Sequence, residues 1–350
     1  MTRRVEDNLF QAHRVDELMR RAIGLTGATN PHPNPRVGAI VLNPAGEVVA
    51  ERAHLRAGSM HAEVAALAEA GPAARGATLI VTLEPCAHHG RTPPCVDAVI
   101  GAGVDRVFVG ALDPDPRVAG RGVAALREAG IAVVAGVEEE AVVANDPAYF
   151  HQRATGRPLV TLKMASTLDG QAAAADRTSK WITGSEARRD AHRLRSSHDA
   201  VLVGAGTVIA DDPRLDVRLE GYSGTQPRPV IVAGRREIPA DAQILQRNPV
   251  IFASKNGAAV DLADAVKQLG SDGVLSLLIE GGPSIAGSAL RAGIVDQIVL
   301  YIGAKLALGT GLPAINGTFE TIDDAVGVSI AKVTQIGPDL RVDATLEKET

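Results

Sequence analysis

Short aliphatic runs and longer stretches of helical spacing alternate along most of the chain, and that alternation predicts the elements. "VGAIVLN" and "GEVVAE" are two such runs, joined by the turn-prone Asn43-Pro44-Ala45-Gly46, so they predict a strand pair. A helix over 61–70 follows, then a strand over 77–84 and a helix over 93–103. A strand over 105–112, a helix over 122–130 and a strand over 131–137 complete this half. Gly71, Gly103 and Gly130 each end a helical pattern, where a left-handed residue is expected. The result is an α/β domain with helices covering a central sheet.

The pattern restarts after a polar stretch. A strand over 158–165 leads to a charged helix over 185–198 and strands over 199–206, 228–234 and 249–254. Next come a helix over 261–269, a strand over 275–282, a helix over 283–293 and a strand over 297–303, with strands over 328–337 and 340–347 closing the chain. A chain of 350 residues is too long for one ordinary core. Gly156-Arg157-Pro158 marks the boundary, giving domains 1–157 and 158–350.

Composition narrows the function. Aromatic residues make up only 3% against 45% hydrophobic, so the core is aliphatic and few rings are left to stack on bases. A net charge of −5 argues against a general nucleic-acid or membrane-surface binder. The first 25 residues contain no apolar signal-peptide core, and nowhere is there a run of about 18 apolar residues that would span a membrane. Two cysteines make no disulfide framework. The expected setting is the cytoplasm, the expected partners are small molecules, and a homo-oligomer stays open.

Those two cysteines raise a metal question. His61 opens a helix, Cys86 follows a strand, and Cys95 follows Pro93-Pro94, which pre-set a helical first turn. One histidine and two thiolates, with a fourth position open, form a catalytic zinc arrangement. Glu63 is too close to His61 for an independent ligand but can reach the open position and take a proton from water there. Wider spacing than Cys-x-x-Cys leaves a pair of buried free cysteines as the alternative. His-Ala-Glu before a strand and Pro-Cys after it match the pattern of zinc nucleobase deaminases, which favours the metal.

Four ordered motifs make the resemblance specific: "NPRVGAIV", "HLRAGSMHAE", "TLEPCAHHGRTPPC" and "DPDPRVAGRG". Together they resemble the deaminase half of the bifunctional riboflavin-biosynthesis deaminase/reductase family, RibD/RibG, which carries the longer cysteine spacing. The resemblance implies a cytidine-deaminase-like three-layer α/β domain. Its implied reaction is zinc-dependent hydrolytic deamination of 2,5-diamino-6-(5-phosphoribosylamino)pyrimidin-4-one, with Zn²⁺ on His61, Cys86 and Cys95 and Glu63 as proton carrier. Asn34 is implied to hydrogen-bond the substrate, a turn role being its alternative. His88, His89 and Arg91 suit a phosphate or a solvated loop equally, and His54 is open to either role. Asp115 stands where the family more often has an asparagine, which puts that position's part in substrate binding in question.

The second half has weaker local signals. "LLIEGGPSIAGSAL" places a Gly-Gly turn between strand and helix, where backbone N–H groups can approach a pyrophosphate, but it is not Gly-x-Gly-x-x-Gly. "KMASTLDG", "SKWITG" and "IEGG" fall in the order of the same family's reductase half, which is similar to dihydrofolate reductase in fold and uses NADPH. The implied reaction reduces 5-amino-6-(5-phosphoribosylamino)uracil to the ribitylamino compound. Matching positions imply that Ala165, Trp181, Thr207, Asp211 and the turn Gly282, Pro283, Ser284, Ile285, Ala286, Gly287 and Ser288 contact the cofactor. Ser179, Arg195, Leu215, Arg218 and Glu280 are implied to hold substrate, the two arginines forking onto a phosphate. Lys163 and Glu280 are charges at the ends of apolar strands, costly unless functional or paired, and are read as polarising the sugar or positioning the imine. Arg235-Arg236 follow a strand where a 2′-phosphate would be read, with a basic surface turn as the alternative.

Two other readings compete: a zinc deaminase acting on nucleic acid, which charge and aromatic content disfavour, and a structural zinc beside a single reductase activity.

Overall fold

Aliphatic strands with helical connections fold as the patterning predicts, into two α/β units. The computed structural model describes residues 2–27, 29–88, 93–116, 118–254, 257–308, 311–317 and 321–347, with only the backbone of 2–12. The two units are Met1–Thr155 and Gly156–Thr350.

In the first unit, α1 (Thr2–Gly24) precedes β1 (Gly38–Leu42), β2 (Val48–Ala53), α2 (Ala62–Ala70), β3 (Thr78–Leu83) and α3 (Cys95–Ala102). Then come β4 (Arg106–Ala111), α4 (Arg121–Glu128), β5 (Ala132–Ala135), α5 (Glu139–Asn145) and α6 (Pro147–Thr155). The sheet order is β2-β1-β3-β4-β5, with β1 antiparallel to both neighbours and β3, β4 and β5 parallel. Every residue of β1 is buried, because helices cover both faces. On one face Leu18, Met19 and Ala22 of α1 pack on Ile40, Leu42 and Ile80. A Cβ at Gly38 would lie 2.0 Å from the Ala22 carbonyl oxygen, so α1 crosses β1 where only glycine fits. Helix α2 packs against β1 and β2 and touches α3.

The helices α1, α5 and α6 carry no strong apolar period and were not among the predicted elements; packing of a narrow stripe makes them. Of the three terminal glycines, Gly103 is left-handed and Gly130 has a φ of +85°, but Gly71 combines φ 52° with ψ −128°, outside the left-handed region. There the chain runs into a short 3₁₀ turn, Gly71–Ala74, instead of a left-handed cap.

The second unit holds β6 (Leu159–Thr167), β7 (Gln171–Ala173), α7 (Ser185–Ser196), β8 (Ala200–Gly204), α8 (Ala205–Asp211), β9 (Arg228–Gly234) and β10 (Val250–Ala253). It continues with α9 (Leu262–Ser271), β11 (Ser276–Ile279), α10 (Pro283–Arg291), β12 (Gln297–Gly303), β13 (Leu312–Pro313), β14 (Val328–Ile336) and β15 (Asp339–Leu346). Its 8-stranded sheet runs β10-β9-β8-β11-β6-β12-β15-β14, parallel as far as β12 and antiparallel beyond. Aliphatic clusters fill both sides of β8 and β11: Leu202 and Leu277 face one, Val201 and Leu278 the other. The order reverses beside β11, and the loops after β8 and β11 therefore sit together at the carboxyl end of the sheet, the usual place for a ligand.

Candidate active sites

The first site forms where three elements end. His61 caps the start of α2, Cys86 follows β3, and Cys95 begins α3. His61 Nδ1 lies 3.1 Å from Cys95 Sγ and 3.8 Å from Cys86 Sγ, and all three donor atoms fall within 4.8 Å of one another. Tetrahedral zinc, with bonds of about 2.0–2.3 Å, needs ligand atoms about 3.6–3.8 Å apart; the His61–Cys86 separation meets this, and a side-chain shift of about half an ångström at the closer Cys95 lets the donor set take the ion. The Cys95 amide donates to Cys86 Sγ at 3.4 Å, placing partial positive charge on that sulfur. The Cys95 side chain, against burial and with help from His61, brings the Cys86 thiol down to about 4. That contact with Cys86, and burial, push Cys95 up, while contact with Cys86 pushes His61 up.

Glu63 is the second residue of α2, buried, and lines a cavity of about 280 Å³ with His61 and Cys86; burial pushes its carboxyl up. Asn34 lines it too, and its Nδ2 lies 3.0 Å from His54 Nε2. His54 Nδ1 is 3.0 Å from the Met60 carbonyl oxygen, which only accepts, so the proton sits on Nδ1 and Nε2 accepts from the Asn34 amide. The Asn34 Oδ1 is then left as an acceptor. His54 also meets the His61 ring edge-on, 5.2 Å between centroids. It therefore joins the site through Asn34 and His61.

Apart from Asp115, the far wall was not legible as a site. Glu84, buried at the end of β3, accepts from the backbone N–H of Asp113 at 3.2 Å, Gly120 at 2.9 Å and Val123 at 3.0 Å. It ties the strand carrying Cys86 to the loop carrying Asp113 and Asp115; a charge closing an apolar strand was the one available signal. Asp113 accepts from the Tyr149 hydroxyl at 3.0 Å, and burial pushes its carboxyl up. Arg153 Nε lies 3.6 Å from Asp115 Oδ2. All four of these last side chains line the cavity, as does His88, while His89 and Arg91 lie outside the described residues.

In the second unit, Ser179, Trp181, Arg195, Asp211, Leu215 and Arg218 line one cavity of about 450 Å³. Arg195 is held from below: its Nε and Nη2 donate to Glu280 at 2.8 and 3.0 Å, and Nη1 donates to the Asp216 carbonyl at 2.6 Å. Lys163 Nζ stands 3.7 Å from the same carboxylate and 5.9 Å from the Tyr301 ring centre. Lys163 and Glu280 are thus paired charges. The Arg195 fork is spent on Glu280, so an anion there meets the outer N–H groups only, whereas Arg218 is largely exposed.

The starts of α8 and α10 adjoin, since a Cβ on Gly282 would fall 3.3 Å from Thr207 Oγ1. Pro283 brings no N–H to the first turn of α10. Further along the turn Ala286 is part of the apolar core, and a Cβ at Gly287 would strike the Asn316 carbonyl at 2.0 Å. Of the turn, Ala286 and Gly287 are buried, while Gly282 to Ile285 and Ser288 stay at least partly exposed. Ala165 packs with Ala187 and Tyr301, away from the 450 Å³ cavity. Arg236 lies over α8: its Nη1 is 2.9 Å from where a Cβ on Gly206 would be.

Both units resemble known proteins. The cytidine and deoxycytidylate deaminase zinc-binding region matches residues 13–111, and the RibD C-terminal domain matches residues 158–342. The riboflavin biosynthesis protein RibD of Aquifex aeolicus is 43% identical, over 88% of this chain and 91% of that protein. RibD of Escherichia coli is 39% identical over 92% and 96%. Among solved structures, Acinetobacter baumannii RibD superposes with a TM-score of 0.90 at 35% identity, covering 96% of this chain and all 100% of that one. The Thermotoga maritima diaminohydroxyphosphoribosylaminopyrimidine deaminase/5-amino-6-(5-phosphoribosylamino)uracil reductase gives 0.86 at 33% identity, covering 96% and 99%.

Proposed function

The chain belongs to the RibD family of bifunctional riboflavin-biosynthesis proteins, and from that premise we propose which of its residues carry each reaction. It is a zinc-dependent deaminase followed by an NADPH-dependent reductase. Its substrates are small molecules: 2,5-diamino-6-(5-phosphoribosylamino)pyrimidin-4-one for the first step and 5-amino-6-(5-phosphoribosylamino)uracil for the second.

His61, Cys86 and Cys95 hold zinc in this reading, which supplies Lewis acidity that makes water nucleophilic near neutral pH. Glu63 moves both protons of the water: its carboxylate accepts the first and gives it to the ring nitrogen, then accepts the second from the newly added hydroxyl and gives it to the departing ammonia. Asn34 Oδ1 accepts from an N–H on the pyrimidine edge. The carrying observation is the convergence of this three-donor cluster, Glu63 and Asn34 in one cavity.

For the second step NADPH supplies the hydride. Trp181, Thr207, Asp211 and the opening of the Gly282–Ser288 turn are assigned to cofactor, and Ala165 to its nicotinamide side. Ser179, Leu215 and Arg218 are assigned to substrate. Arg195 and Glu280 fix Lys163, whose ammonium polarises the sugar oxygen.

Mass analysis of the diaminopyrimidine phosphate incubated with purified protein tests the pair. Loss of the amino group without cofactor, then a gain of two hydrogens with NADPH, is expected; reduction before any ammonia release would reverse the order. No helix among the described residues is long and apolar enough to cross a membrane. Cytoplasmic residence and a homo-oligomer belong to the same proposal. Support for self-association is the edge strand β14, on which Val328, Ile330 and Val333 are 43%, 61% and 55% exposed. A monomeric mass in light scattering at working concentration would remove that part.

A further inference from the structure

We propose that Asp146 is a positioning residue for deamination, acting through Asn34; this rests on the assignment of Asn34 to substrate above. Asp146 lies between α5 and α6, outside both the matched deaminase region, which ends at 111, and the matched reductase region, which begins at 158.

Its two oxygens hold the Asn34 loop at two points. Asp146 Oδ1 is 3.2 Å from His32 Nε2, and Oδ2 accepts from the Arg36 backbone N–H at 2.9 Å. His32 and Arg36 stand two residues before and two after Asn34. The His32 and Asp146 side chains are 8% and 4% exposed, so these bonds form away from water, where each counts for more. Pro31, Pro33 and Pro35 alternate through the same stretch and fix every second φ. A loop that stiff does not bend locally; it shifts as a body when its anchors go, and Asn34 shifts with it.

The anchor also faces the opposite wall. Asp146 immediately precedes α6, which carries Tyr149 and Arg153 into the cavity, and Arg153 Nη2 donates to the Pro33 carbonyl at 3.4 Å. One carboxylate therefore ties the Asn34 loop to the start of α6, whose Tyr149 and Arg153 line the same cavity. A displacement of even an ångström weakens a hydrogen bond to substrate and leaves the chemistry at Glu63 in place.

The experiment is a double-mutant cycle on the zinc-loaded full-length protein, with deamination kinetics as readout. Asp146→Asn keeps the volume but leaves one acceptor for two donors. Its kcat/KM for deamination is expected to fall about tenfold, mostly through KM, the loss of roughly one hydrogen bond to substrate. Zinc content and NADPH-dependent reduction of the already deaminated substrate are expected to stay unchanged. Asn34→Ala is expected to lose at least as much, and adding Asp146→Asn to it to cost under about twofold more, because the anchor has nothing left to position.

His32→Ala and His32→Gln supply a second route that spares the carboxylate. The first is expected to raise KM severalfold, and the second, which restores a donor toward Asp146, to recover most of it. Full additivity of Asn34→Ala and Asp146→Asn, or a normal KM in Asp146→Asn, would overturn the role of Asp146 while leaving Asn34 assigned. A normal KM in Asn34→Ala would overturn both assignments, and absence of deamination in the unaltered protein would remove the reading of the whole site.

Discussion

Arg195 and Glu280, 85 residues apart in sequence, share two parallel hydrogen bonds of 2.8 and 3.0 Å. Both side chains are largely buried; Arg195 lines the 450 Å³ cavity, and Lys163 Nζ lies 3.7 Å from the shared carboxylate. Such a fork needs a planar donor. Arg195→Lys keeps the charge but makes one bond at best, leaving a buried carboxylate underpaired. A loss of about 3 kcal/mol in the stability of the second unit is expected, together with a fall in reductase kcat/KM. Urea unfolding followed alongside both activities checks this: deamination per bound zinc should be unaffected. A reductase that tolerates lysine here would mean that Lys163 keeps its place without the Arg195 fork.

The same pair sets an acid limit. Burial pushes the Glu280 carboxyl up, but Arg195 first and Lys163 next bring it down to about 2, from 4.5 when exposed. A carboxyl depressed on folding stabilises the fold above its unfolded pKa, and that contribution, about 3 kcal/mol here, is lost as pH falls from 4.5 toward 2. In Glu280→Gln nothing at this position titrates. The stability gap between the two proteins is therefore expected to be widest above pH about 5 and to narrow toward pH about 2. Urea midpoints across that range test the sign; a gap that widens on acidification refutes it.

In the first unit the proton carrier separates from the metal grip. Glu63→Gln removes the carboxylate without touching His61, Cys86 or Cys95. Deamination is expected to fall about 10²–10⁴-fold, the usual share of a general acid–base group. Bound zinc, measured by metal analysis, and reduction of deaminated substrate should both persist. Cys95→Ser is expected to do the reverse to the metal and release it. Were Glu63→Gln to deaminate normally, the cluster would be structural.

How much of this was legible follows from what each feature depends on. β1 and β8 announce themselves because every side chain in them is aliphatic and buried. His61, Cys86 and Cys95 were legible from residue type and position at element ends. The helix α1 was not, because Leu18, Met19 and Ala22 are a narrow stripe in a charged stretch whose helical form comes from packing on Ile40 and Ile80. Partnerships were the least legible. His54 with Asn34, Asp146 with His32 and Glu280 with Arg195 join residues from 20 to 114 positions apart, and only the sheet order brings them together. Burial of Ala286 within the Gly282–Ser288 turn was not legible either, because matching motif positions carries no information on packing.

Glu84 shows what such a partnership is worth. Its Oε2 accepts from Asp113 and Gly120 and its Oε1 from Val123, and close packing reinforces the join: a Cβ at Gly122 would lie 2.0 Å from the Pro85 carbonyl. In Glu84→Gln one oxygen becomes an NH₂ that confronts a backbone N–H, so at least one buried donor goes unmatched and the charge is gone. The expected cost is about 2–3 kcal/mol. For a unit of this size that is a fall of roughly 5–10 °C in Tm. Deamination KM should rise as well, because the loop that Glu84 holds carries Asp113 and Asp115 into the cavity. The reductase unit's own melting should stay put. If Tm holds and KM alone rises, Glu84 acts on the site without supporting the fold; if neither moves, other contacts hold the loop.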